Sequence, residues 1–187
     1  MTAERHLTPL PSSELPSPEL PPTASPKVLR EVMSSFATGI TVLTAAGDHG
    51  HGMTANAFSS VSLEPPMVLC CIARTAQMHE AILRTRHFGV SVLSAEQEDL
   101  ARYFASKGRP RGQAQFDQVD WFPARHSGAP LLSGSLAWLE CELAGVYHGG
   151  DHSIFVGTVL DAARREGEAL LFFAGGFHQG MPSSRSA

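Results

Sequence analysis

The stretch Gly52–Thr75, GMTANAFSSVSLEPPMVLCCIART, decides how the rest of the chain is read. Its first part sets Thr54, Asn56, Ser59, Ser60 and Ser62 among apolar residues. Pro65 and Pro66 end that segment, because proline cannot donate to a sheet ladder. Met67–Ala73 is then an unbroken apolar run, short enough for a strand buried on both faces. Small side chains let a ligand approach the backbone, and hydroxyls and amides suit phosphate or polyol oxygens. A half-exposed strand, Ser-rich outside and apolar inside, carries the same pattern.

Strand chemistry continues on both sides. Ile40–Ala45 is apolar and β-branched, and Gly47–Gly52 (GDHGHG) turns it toward Met53–Leu63. Val28, Val32, Met33 and Phe36 have helical spacing and predict a short helix ending before Gly39. Downstream, His79–Thr85 reads as one or two helical turns with Ala81 and Ile82 inward, and Phe88–Leu93 as a strand. Ser94 with Gln97 three residues on forms a capping box for a helix bearing Leu100, Ala101 and Phe104 on one face. Lys107–Gln115 is a basic Gly/Pro loop, and Trp121–Pro130 looks irregular. Ser135–Tyr147 alternates, with Leu139, Cys141 and Leu143 inward and Glu140 and Glu142 on a solvated face. Gly149-Gly150 turns the chain into strand Ser153–Leu160, and Ala169–Phe173 closes the series. Six or seven strands and few helices predict a mainly β fold, an antiparallel barrel.

Composition bounds the rest. Of 187 residues, 43% are hydrophobic and 17% charged, and the net charge is −4 without a Lys/Arg block, which excludes a duplex nucleic-acid partner. No apolar run is long enough for a membrane helix, and the N-terminus has no secretion-signal pattern, so a soluble cytoplasmic protein is expected. Residues 1–26 are rich in Pro, Ser and Glu and are expected to be a disordered tail. The three cysteines, Cys70, Cys71 and Cys141, read as reduced core residues, and neither a disulfide framework nor a metal site is expected.

Signatures for a Rossmann site, a Walker loop, HExxH and GxSxG are all missing. Two further segments are unusual for a plain barrel. Ala73–His79 (ARTAQMH) brings the cation Arg74 together with Thr75, Gln77 and His79 where a strand leaves the core, a place that suits an anion or an ordinary polar turn. Gly149–Gly157 (GGDHSIFVG) holds His152 between a turn and a strand, either as a structural histidine or as a ring against a planar ligand.

Taken in order, FATGITVLTA (Phe36–Ala45), the Gly52–Thr75 stretch, FGVSVLSAEQEDLARYFA (Phe88–Ala105), GAPLLSGSLAWLECEL (Gly128–Leu143), GGDHSIFVGTV (Gly149–Val159) and LLFFAGGFH (Leu170–His178) resemble the short-chain flavin reductases of two-component monooxygenases. In look they are most similar to actinobacterial members from antibiotic and related biosynthetic pathways. The resemblance implies an FMN-binding split β-barrel over residues 27–178, with residues 179–187 a loose C-terminal tail. It implies that Met53, Thr54, Ala55, Asn56, Ser59 and Ser60 wrap the flavin, that Ala73, Arg74, Thr75 and His79 hold its phosphate, and that Phe177 closes over it. His152 would seat the nicotinamide. The implied reaction is hydride transfer from NAD(P)H to FAD or FMN, with NADH favoured because no Arg/Lys cluster marks a 2′-phosphate site. The reduced flavin would pass to a separate flavin-dependent monooxygenase, and the enzyme would be a homodimer. Ala73 and Gln77 stand where many members have Asn and Ser, which leaves FAD and FMN both open. Arg74 as the one fixed cation would fit a flavin held only moderately. The alternatives are a split-barrel protein that retains FMN and reduces another acceptor, such as a corrinoid cobalt, and a non-catalytic flavin-binding module.

Overall fold

A computed structural model describes residues 23–182. Helix α1 (Pro26–Met33) leads into the short β1 (Thr38–Gly39) and β2 (Thr41–Ala45). Next come β3 (His51–Ala55), β4 (Phe58–Leu63), β5 (Pro66–Ala73), α2 (Gln77–Thr85), β6 (His87–Val92) and α3 (Glu98–Ala105). A hairpin of β7 (Trp121–Pro123) and β8 (Pro130–Leu132) precedes the long strands β9 (Ala137–Gly149) and β10 (His152–Arg164). The described chain closes with β11 (Glu168–Phe173) and β12 (Gly176–Pro182).

Seven strands form one antiparallel sheet in the order β3-β2-β6-β9-β10-β5-β4. Laid flat, its edges would stand roughly 29 Å apart, six gaps of about 4.8 Å. Yet the edge strands β3 and β4 are joined by Asn56 and Ala57 alone, a link that reaches about 11 Å between its flanking Cα atoms. The sheet therefore curls until its edges nearly meet, and the split barrel opens where the TAN segment crosses. The Ala57 carbonyl accepts the Cys71 N–H at 3.0 Å, which ties the crossing to β5.

The interior holds Leu43, Cys70, Ile72, Phe88, Val90, Cys141 and Phe155, and α2 covers it with Met78, Ala81 and Ile82. A second core outside the barrel packs Val42, Leu93, Leu132 and Leu170 against Ala101 and Phe104 of α3. β2 serves both cores, so all five of its residues are buried. β1, β11 and β12 make a separate small sheet.

Several expectations change. In β5 only Val68, Cys70 and Ile72 are buried; Met67, Leu69, Cys71 and Ala73 are half-buried on the outer face. Trp121–Pro130 contains β7 and the start of β8. Glu140 is fully buried, while Glu142 is exposed as expected. The alternation fails beside a register shift between Val159 and Asp161 of β10, and the 126–127 backbone closes over the carboxylate. β12 continues through Pro182, paired with Glu168, so residues 179–182 belong to a strand rather than to a loose tail. α1 begins at Pro26, the last residue assigned to the N-terminal tail. Residues 1–22 and 183–187, the remainder of both expected tails, lie outside the described residues. All three cysteines are free, with Cys70 and Cys141 buried and Cys71 half-buried. No helix among the described residues is long and apolar enough to cross a membrane, and no cluster there could hold a metal ion.

Candidate active site

β3 runs from one cavity to another. Met53 and Thr54 face a cavity of about 540 Å³, together with Thr75, Ala76 and Gln77 at the start of α2. Asn56, in the link just past the strand and about 7 Å further along the extended chain, lines a groove of about 750 Å³ with Ala57, Phe58 and Ser59. The first cavity is cationic at its rim, where Lys107, Arg109 and Arg111 come from the loop after α3. The second is apolar, walled by Met33, Phe36, Leu69, Cys71 and Val92. A polar-headed, flat-bodied ligand fits such a path.

The cationic cavity is built from long-range contacts. Arg109 donates to the carbonyls of Ser106 and Gly52 and to Gln115 Oε1 at 3.3 Å, and its Nη2 lies 3.1 Å from His51 Nε2. Gln115 is fully buried and saturated: it accepts from the Gly52 N–H and donates to the Gly50 and Gly112 carbonyls. Burial, and then the Arg109 charge, push the His51 pKa down to about 4, so the ring is a neutral acceptor. Opposite, Ala76 precedes α2 without a side-chain cap; the His79 N–H returns to the Ala76 carbonyl at 3.0 Å, which leaves the N–H groups of Gln77 and Met78 to a ligand. Uncapped helix donors facing cations form the donor set an anion needs.

The other expected residues divide. Ala73 pairs with His152 in the β5–β10 ladder, and the Arg74 N–H donates to the Asp151 carbonyl at 3.0 Å, so strand exit and GDH turn form one corner. His152 Nδ1 meets Asp151 Oδ1 at 2.8 Å; that hydrogen bond, then the imidazole charge, lowers the Asp151 pKa. His79 Nε2 lies 2.9 Å from Ser153 Oγ, with its ring edge-on to Phe155, and it does not line the cationic cavity. Phe177 stacks edge-on with Phe172 under the Arg102 guanidinium of α3 and lines neither cavity. The Thr54 hydroxyl donates to the Ala101 carbonyl, Asn56 reaches the Thr38 hydroxyl at 3.3 Å, and Ser59 donates to the Ser60 carbonyl. Ala55 is half-buried and Ser60 exposed beside them.

Arg74 is not the one cation available, because Lys107, Arg109 and Arg111 were missed as site residues. Their charge stands plainly in KGRPRGQAQ; their return to β3, more than fifty residues away, does not.

The sequence profile of the flavin reductase like domain matches residues 33–181. An NADH-dependent FAD reductase of Streptomyces globisporus is 49% identical over 159 residues, 83% of this chain and 86% of that protein. The FMN reductase (NADH) SmoA of Agrobacterium fabrum is 43% identical, across 79% of this chain and 82% of that one. BorF, the flavin reductase component of a bacterial two-component tryptophan halogenase, superposes with a TM-score of 0.81 at 48% identity, covering 84% of this chain and 99% of its own. With nearly the whole described fold matched, the chain belongs to the flavin reductase-like family.

Proposed function

We propose that this protein is an NADH-dependent flavin reductase that delivers reduced flavin to a separate monooxygenase. The observation that carries the reading is the path of β3 and the link after it, from the cationic cavity at Thr54 to the apolar groove at Asn56. The α2 N-terminus and Thr75 take the flavin phosphate, with Arg74 and Ala73 shaping the turn that leads to them. Met53, Thr54, Ala55, Asn56, Ser59 and Ser60 follow the ribityl chain and ring edge, and Phe177 supports α3 from the far side. His79 acts as a positioning residue, tying α2 to β10 through Ser153.

Bound flavin and nicotinamide supply the redox chemistry between them. The protein's part is to hold two rings face to face and exclude water, which needs shape more than acids or bases. His152, its Nδ1 held by Asp151, would offer Nε2 to the nicotinamide.

A homodimer completes the groove. α1 buries none of its residues, and Leu29, Val32 and Phe36 are 57%, 63% and 65% exposed beside the apolar wall. A second copy covering them would shield a bound ring. The likeness to BorF, the reductase component of a two-component tryptophan halogenase, supports a role in antibiotic or related biosynthesis.

The test is NADH consumption by the apo-protein with FAD, FMN or riboflavin added. Acceleration by added flavin is expected; no acceleration with any of the three overturns the assignment.

A further inference from the structure

We infer that the preferred flavin is the dinucleotide, selected by Lys107 and Arg111, a specificity that rests on the reductase reading above. One phosphate is already provided for by the α2 N-terminus and Thr75. The loop opposite adds three more cations, beyond what a flavin mononucleotide requires. Arg109 spends its donors on the protein, on Ser106, Gly52 and Gln115, and so locks the loop in place. Lys107 and Arg111, two residues to either side, are exposed and carry no hydrogen bond or ion pair among the described residues. A second phosphate, joined to the first as a pyrophosphate, is the anion that matches them.

What lies next to this cavity fits the rest of a dinucleotide. A smaller space of about 250 Å³ adjoins it, sharing His51 and Gln77. Its wall is lined by Asp48 and by Glu80, whose Oε1 accepts from Arg84 Nε at 2.6 Å. Carboxylates repel phosphate and accept hydrogen bonds from hydroxyl and amino groups. The pyrophosphate therefore stays by the loop, while an uncharged ribose or adenine edge enters the smaller space. FMN would leave both Lys107 and Arg111 without a ligand group.

The experiment is equilibrium titration of FAD, FMN and riboflavin into the full-length apo-protein, read by flavin fluorescence, for the wild type and a Lys107→Ala/Arg111→Ala variant. Wild type is expected to bind FAD about tenfold tighter than FMN, and the double variant to close that gap while the FMN-to-riboflavin ratio holds. Equal affinity for FAD and FMN in the wild type overturns the inference. So does an equal loss for FMN and FAD in the variant, which would put the loop on the shared phosphate. Weakened NADH binding with flavin binding intact assigns the loop to the nicotinamide dinucleotide and likewise overturns it. If none of the flavins binds or accelerates NADH oxidation, it is the reductase reading that fails.

Discussion

The Ser127 hydroxyl donates to Glu140 Oε1 at 2.6 Å, and the same carboxylate accepts the backbone N–H groups of His126 and Ser127. Burial alone would raise the pKa of Glu140, but the Ser127 hydroxyl and the two N–H groups, with the His126 charge, hold it below its ordinary value. Replacing Glu140 by Gln sets an amide N–H₂ against donors that need an acceptor. The expected cost is about 2–4 kcal/mol, read from the urea unfolding midpoint. A depressed carboxylate pKa gives stability that is complete above the unfolded value, near 4.3, and is lost as pH falls through the folded one. The gap between wild type and Glu140→Gln should therefore narrow in acid; a gap constant with pH would refute an ionised Glu140.

Gly52 opens the TAN segment because nothing larger fits. A Cβ there would stand 2.4 Å from Cε1 of Phe104 and 3.2 Å from Cζ of Phe116, two buried rings. Gly52→Ala is expected to destabilise the fold by about 1–3 kcal/mol and to weaken flavin binding, because Phe104 lines the cationic cavity. At Gly39, which lines the apolar groove, an added methyl meets nothing within 4 Å, so Gly39→Ala serves as the control for stability alone. Equal thermal midpoints for the two variants would count against this packing.

Local chemistry made parts of this fold legible. The Ser94 N–H does donate to Gln97 Oε1, at 3.1 Å, and α3 follows with Ala101 and Phe104 buried. Thr54 and Asn56 were recognisable as polar residues in an apolar strand, and both line cavities. What the sequence concealed depends on contacts between distant segments. Glu140 obeys strand alternation in sequence and violates it in space, because a register shift in β10 and the backbone at 126–127 lie elsewhere in the chain. Arg109 reads as a loop charge until its donors are found on Gly52. β12 was missed altogether because Gly176, Gln179 and Gly180 carry no strand propensity; Leu170 and Leu171 of β11 supply the pairing and packing.

His152→Ala should separate the two substrates. The imidazole stands at the corner where Ala73 and the Arg74 N–H meet the GDH turn, away from the residues lining the cationic cavity. The KM for NADH is expected to rise about tenfold, with the flavin KM changed less than about twofold. Asp151→Asn, which keeps a hydrogen-bonding oxygen but removes the charge, should fall between wild type and His152→Ala. Equal increases in both KM values would remove the nicotinamide role from His152.

The contact between His51 and Arg109 makes the cationic cavity sensitive to acid. An unfolded histidine takes up a proton near pH 6.5, whereas His51 in the fold does so only at about 4, chiefly because it is buried and secondly because Arg109 is charged. Between those values the unfolded chain binds more protons, so stability falls as pH drops from about 6.5 to 4. Arg109→Met removes the cation and leaves the burial. The His51 pKa is then expected to rise while staying below 6.5, as followed by NMR of the ring C–H signals. The same variant frees the loop from Gly52 and Gln115, so flavin binding should weaken even at pH 8, where His51 is neutral in both proteins. A wild-type His51 that titrates near 6.5 would mean that the ring is solvated and that Arg109 does not hold the loop against it.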